Sequence, residues 1–178
     1  KSYVDTRYGK TFIIANGEKG APPLVLLHGS AMNSIMWLAD AREYSRYYRV
    51  YAVDIPGEPG RSDENQLPLD GPAYAEWLED VFDALSIEKA NLIGISLGAW
   101  LSLKFAVCCP EKVNKLVLLC PAGIGRQKIS FLFKALAHMV LGEKGMDRLS
   151  KKVNGNQTIP DVVIKYQRLI GKNFNYRR

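Results

Sequence analysis

The sequence predicts an α/β fold, a mostly parallel sheet flanked by helices, and three observations carry that prediction. Four short runs are almost wholly apolar: Leu24-Val25-Leu26-Leu27, Val50-Tyr51-Ala52-Val53, Asn91-Leu92-Ile93-Gly94-Ile95 and Lys115-Leu116-Val117-Leu118-Leu119-Cys120. A continuous apolar run of this length fits a strand buried on both faces, as strands of a parallel sheet are. Segments of helical periodicity lie between the runs, and strands alternating with helices imply βαβ units. Each run also stops abruptly, at His28, Asp54, Ser96 and Pro121. In an open parallel sheet, ligands bind outside the carboxyl ends of the strands. The residues just after each run are therefore the ones to inspect.

In chain order, residues 3–14 read as two short strands with a turn near Tyr8-Gly9-Lys10, and Asn16-Gly17 marks a second turn. These strands make the sheet mixed rather than purely parallel. Residues 34–45, with Ile35, Met36 and Leu38, form a helix after the first buried strand. The cleanest periodic signal is Tyr74, Trp77, Leu78, Val81, Phe82 and Leu85, one apolar helical face. Asp70-Gly71-Pro72 is a start signal for that helix. The next helix runs from Leu97 to Cys109 and is stopped by Pro110. Beyond Gly123 the pattern becomes helical only. Phe131, Leu132, Ala135, Leu136, Met139 and Val140 recur at helical spacing, and a further helix runs from Asp161 to about Ile170, after Pro160. The expected organisation is a core over residues 1–123 and a partial helical insertion over residues 124–178.

Composition narrows the class. The chain has 178 residues, 47% of them hydrophobic, enough for one domain with a real core. Its net charge is +6, but no run of five basic residues occurs, so the charge reads as a solvated surface rather than a nucleic-acid footprint. The longest apolar stretch, residues 129–141, is too short for a membrane helix and contains Lys134 and His138. Cys108, Cys109 and Cys120 lack metal-ligand or disulfide spacing. They are expected to be small buried hydrophobes in a reducing, cytoplasmic setting. No metal or organic cofactor is implied. The first residues, Lys1-Ser2-Tyr3-Val4-Asp5, do not form a signal peptide, and without an initiator Met further residues are expected upstream.

Three motifs carry chemistry. Gly94-Ile95-Ser96-Leu97-Gly98 is a GxSxG sequence that directly follows a buried strand and precedes a helix, the setting a nucleophile elbow requires. Glycines two residues either side of Ser96 relieve crowding where strand meets helix. The helix start offers the Leu97 amide and a favourable dipole to a developing oxyanion. The competing reading is a helix N-cap serine between two packing glycines. The second motif is Leu27-His28-Gly29-Ser30, which offers the Ser30 amide toward the same cleft. Two converging N–H donors make an oxyanion hole, and losing one such donor typically lowers the rate about 10²–10³-fold. The third, Asp54-Ile55-Pro56-Gly57-Glu58-Pro59-Gly60-Arg61-Ser62-Asp63, reads as a turn that closes the second buried strand and shapes the pocket wall, not as a set of catalytic acids.

These motifs, in this order at these strand ends, resemble the α/β-hydrolase family. The resemblance spans roughly Tyr3 to Gly123, and the helical stretch afterwards looks like the family's cap. It implies Ser96 as nucleophile, supported by Gly94 and Gly98, with the Ser30 and Leu97 amides as the oxyanion hole and His28-Gly29 in the oxyanion loop. The Asp54 segment resembles the family's DxPGxGxS turn but holds one residue more. The family's order is Ser, then Asp or Glu, then His, the last two following later strands. His28 belongs to the oxyanion loop and His138 to the apparent cap, so neither is taken as the base. The chain is therefore expected to lack the triad acid and His, and to be inactive by itself. The implied function is a serine hydrolase acting on small carboxylic esters, with no nucleic-acid or membrane partner. Thioesterase, lactonase, C–C hydrolase and perhydrolase chemistry remain open within the family. So does a small-molecule receptor or signalling role with little turnover, because such relatives keep the same elbow. Neither the substrate nor the oligomeric state follows from the sequence.

Overall fold

The computed structural model describes residues 1–125, 142–153, 155 and 157–174. The chain divides into two compact units, Lys1–Ala122 and Gly123–Arg177.

In the first unit, strands β1 (Ser2–Thr6), β2 (Gly9–Asn16), β3 (Pro23–Leu27), β4 (Arg49–Val53), β5 (Ala90–Ile95) and β6 (Val113–Leu119) form one six-stranded sheet. The order is β1-β2-β4-β3-β5-β6. β1 and β2 are a hairpin, and β2 runs antiparallel to β4; β4, β3, β5 and β6 are mutually parallel. The turn of the hairpin falls at Arg7-Tyr8, with Gly9 at φ +108°. Gly17 closes the next turn at φ +92°, where a Cβ would come within 2.2 Å of the Tyr48 carbonyl oxygen.

The apolar runs are continuous because the central strands are covered on both sides. Val25 and Leu27 of β3 join a cluster with Trp77, Leu78, Val81 and Phe82 of helix α2 (Ala73–Ala84) and Leu101 and Phe105 of helix α3 (Leu97–Cys108). Leu24 and Leu26, pointing the other way, pack with Val50, Ala52, Trp37 and Ala41. The i, i+3, i+4 face of α2 is the buried one, and Trp77 also donates its indole N–H to Thr11 Oγ1 at 2.8 Å.

The single helix expected over residues 34–45 is instead a 3₁₀ turn, Ser34–Trp37, followed by helix α1 (Leu38–Tyr44). The reason is non-local. The Asp54 carboxylate takes the Ser34 amide at 2.7 Å, and the Asn33 side chain takes the Ile35 amide at 3.0 Å. The first turn is thereby tethered to the end of β4 in a tighter winding. A second departure concerns the cysteines: Cys109 is buried, but Cys108 and Cys120 are exposed, all three as free thiols. Cys108 sits in the last turn of α3, and Cys120 is carried into a turn at φ +47° just past β6. A third is β6, where Val117 and Leu119 are 45% and 40% exposed although their run reads as buried on both faces. Among the described residues, β6 is the outermost strand on its side, with β5 as its one neighbour.

The described part of the second unit holds helices α4 (Gly142–Val153) and α5 (Asp161–Asn173). α5 starts after Pro160, whose carbonyl accepts from the amides of Val163 and Ile164, and runs three residues past the expected Ile170. α4 is strongly amphipathic but carries only three large apolar residues, Met146, Leu149 and Val153, among six charged ones, so it offers no long apolar face to read from the sequence. The helix expected around Phe131 to Val140 lies outside the described residues, as does His138. Among the described residues, no helix is long and apolar enough to cross a membrane.

Candidate active site

The parallel register brings four strand ends to one rim. Leu27 of β3 pairs with Val53 of β4 and with Gly94 of β5, and Ile95 of β5 pairs with Leu119 of β6. The residues that follow, His28, Asp54, Ser96 and Cys120, therefore leave the sheet along one rim.

Ser96 is the whole connection between β5 and α3. It sits at φ +51°, ψ −111°, a left-handed backbone that a residue with a Cβ rarely adopts. Three hydrogen bonds hold it there. Its amide donates to the Leu119 carbonyl at 2.9 Å, and its own carbonyl accepts from Trp100 and Ala122 at 3.1 and 3.2 Å. The flanking glycines make room for so sharp a turn. A Cβ on Gly94 would lie 2.2 Å from the Gly98 carbonyl oxygen, and one on Gly98 would lie 2.3 Å from that of Leu27. Both obstacles are backbone, which cannot swing aside. Leu97 opens α3, and the amide of a first helical residue has no intrahelical acceptor.

The loop after β3 runs against this turn. A Cβ on Gly29 would lie 3.6 Å from the Ser96 Cβ, so the structure brings Gly29 and Ser96 side by side, with Ser30 next in the chain. His28 is fully buried, and both of its ring nitrogens are engaged. The Ile55 amide can only donate, so His28 Nε2 accepts at 2.9 Å; Nδ1 then carries the proton and donates to the Gly29 carbonyl at 2.8 Å. Burial outweighs this hydrogen bond and the nearby Asp54, and lowers the His28 pKa to about 4. The ring is neutral at pH 7 and has no free nitrogen with which to take a proton from Ser96.

Asp54 is 2% exposed, and its carboxylate oxygens are occupied by backbone amides: Ser34 on Oδ1 at 2.7 Å and Arg61 on Oδ2 at 2.8 Å. Its own carbonyl accepts the Ser62 hydroxyl. Gly60 is required beside it, since a Cβ there would lie 2.6 Å from Oδ2. This geometry closes a turn.

One residue of the turn reaches further. The Glu58 carboxylate accepts from the Ala31 amide at 2.5 Å and, more weakly, from the Ser30 hydroxyl at 3.3 Å. Burial raises the Glu58 pKa, opposed by these two hydrogen bonds. The sequence marks the turn as one residue longer than its family pattern, but nothing local says that Glu58 touches residues 27 or more positions earlier.

Glycine-relieved elbow, adjoining glycine loop and buried aspartate turn all lie on the carboxyl rim of one mixed sheet, and the comparisons agree with that arrangement. Residues 24–163 match the model of the alpha/beta hydrolase family, and the chain belongs to that family. Among its relatives, the chain is 45% identical over 120 residues to the uncharacterized carboxylesterase nap of Bacillus subtilis (strain 168), an alignment covering 67% of this chain and 40% of that one. It is 40% identical over 157 residues to the carboxylesterase YbfK of the same strain, covering 86% and 52%. The crystal structure of naproxen esterase (carboxylesterase NP) from Bacillus subtilis superposes with a TM-score of 0.85 at 36% identity, over 99% of this chain and 62% of that one. The chain thus spans about half the length of the curated relatives it matches.

Proposed function

We propose that this chain carries the nucleophile half of a carboxylesterase-type serine hydrolase, with Ser96 as the acyl-accepting residue. The observation that bears most on this is the backbone of Ser96, held at φ +51° between Gly94 and Gly98 against Gly29. A serine serving only as a helix cap needs neither the strain nor the neighbouring loop, and its side chain makes no cap hydrogen bond. Carboxylesterases at 40–45% identity support the same chemistry.

In this reading a general base takes the Ser96 proton as Oγ attacks the ester carbonyl carbon. The Leu97 and Ser30 amides stabilise the oxyanion. The tetrahedral intermediate collapses, the alcohol leaves with the proton from the base, and water then hydrolyses the acyl-Ser96 ester by the same route. His28, locked by Ile55 and Gly29, is not read as the base; the base and its acid partner are assigned to the part of the relatives' length that this chain does not span. By the family resemblance, residues 124–178 are read as part of a helical cap, and the ester acted on is read as a small one. The three free thiols are in keeping with a cytoplasmic setting.

The test is a reaction of the full-length protein with a fluorophosphonate, read by intact mass beside Ser96→Ala. A one-to-one adduct that vanishes in the variant is expected. No adduct on folded protein would overturn the hydrolase reading and turn attention to ligand binding without turnover.

A further inference from the structure

We propose that Glu58 is a positioning residue for the oxyanion hole: its carboxylate, by accepting from the Ala31 amide and the Ser30 hydroxyl, fixes the peptide that presents the Ser30 N–H. This rests on the Ser96 reading above.

The segment from Gly29 to Ala31 belongs to no helix or strand. Ala31 takes φ +60°, unfavourable for any residue with a Cβ, and such a conformation persists only where the surroundings impose it. Two tethers from the turn after β4 do so. At the root of the loop, the Ile55 amide binds His28 Nε2. At its tip, Glu58 holds Ala31 N–H and Ser30 Oγ. Ala31 N–H lies on the Ser30–Ala31 peptide plane, while the oxyanion amide, Ser30 N–H, lies on the Gly29–Ser30 plane. Fixing one plane and the side chain between them leaves the other only the rotation about Ser30 φ.

The turn that supplies Glu58 is itself fixed. Gly57 sits at φ +76°, where a Cβ would lie 2.6 Å from the Gln66 Cα, and its amide binds the Asp63 carbonyl at 3.1 Å. The Glu58 amide binds the Ile55 carbonyl at 3.2 Å. A carboxylate withdrawn from water is unfavourable unless its oxygens are hydrogen-bonded, and an amide and a hydroxyl of the loop meet that need. Glu58 thus gives the loop its second tether beside the one from Ile55 to His28.

The experiment compares p-nitrophenyl acetate hydrolysis by the full-length protein with Glu58→Gln, Glu58→Ala and the size-matched Glu58→Met. Gln keeps an acceptor for Ala31 N–H and a donor for Ser30 Oγ; Ala and Met keep neither. The expected result is a fall in kcat of about 10-fold or more for Ala and Met, bounded by the roughly 10²–10³-fold loss of a whole donor, with KM little changed. Glu58→Gln should recover most of that loss. Amide exchange at Ala31 should quicken in Met and not in Gln. Turnover equal to wild type in all three variants overturns this proposal alone, as does an equal loss in Gln and Met. No turnover and no phosphonate adduct in the unsubstituted protein overturns the Ser96 reading and this proposal with it.

Discussion

Ser96 is a case where one residue's backbone angle is bought by its neighbours' lack of side chains. A left-handed non-glycine residue stores roughly 1–3 kcal/mol of strain, and here it persists because three backbone hydrogen bonds enclose it. Gly98 carries the consequence from one element to another. Its missing Cβ would stand 2.3 Å from the Leu27 carbonyl oxygen and 2.6 Å from that of His28, so any side chain forces α3 away from β3. Gly98→Ala should therefore destabilise the protein by about 3 kcal/mol, the upper part of the range for overpacking a tight site. Gly20 has nothing within 4 Å of its Cβ position, and Gly20→Ala should stay within about 0.5 kcal/mol of wild type. Chemical denaturation of the two variants checks the contrast; equal stabilities would mean that the elbow relaxes freely.

At the scale of elements, the strands were legible and the first helix was not, for a common reason. β3 reads clearly because burial on both faces writes itself into consecutive residues, and β5 because one face is buried and Ile93 and Ile95 on the other are half-buried. The 3₁₀ turn at Ser34–Trp37 is set by Asp54, 20 residues downstream, so no local pattern could announce it. β6 reads like its neighbours, yet the structure leaves Val117 and Leu119 partly exposed, since a run of apolar residues says what a strand needs and not what covers it. The end of β3 also makes a pH prediction. His28 is held neutral with its pKa lowered from 6.5 to about 4, so between those values the unfolded chain binds a proton that the folded chain refuses. Stability is then full above pH 6.5 and falls as pH drops toward 4, by about 1.4 kcal/mol per unit and roughly 3 kcal/mol in all. Ring nitrogen shifts should show His28 as the Nδ1–H tautomer, untitrated down to about pH 5. A midpoint near 6.5 would contradict the double hydrogen bond to Ile55 and Gly29.

For the whole molecule, the site was legible only where its parts are contiguous. Ser96 announces itself because glycines, strand and helix all lie within a few residues of it, and Gly29-Ser30 because a glycine follows a buried strand. The link from Glu58 to Ala31 spans 27 positions and left only the trace of an overlong turn. The same limit applies to the general base. His28 is engaged at both nitrogens, and His138 lies outside the described residues. The chain spans 40% and 52% of two carboxylesterase relatives, leaving ample length to supply a histidine and an acid. A serine hydroxyl without a base is a poor nucleophile, and deleting the histidine of a triad lowers turnover by about 10⁶-fold. The 178-residue chain expressed alone should therefore react with a fluorophosphonate at least about 10³-fold more slowly than the full-length protein, a conservative bound on that loss. Circular dichroism on the same sample would establish that the core is folded. Matched labelling rates would place the base within this chain, and His138→Ala would then be the next variant to make.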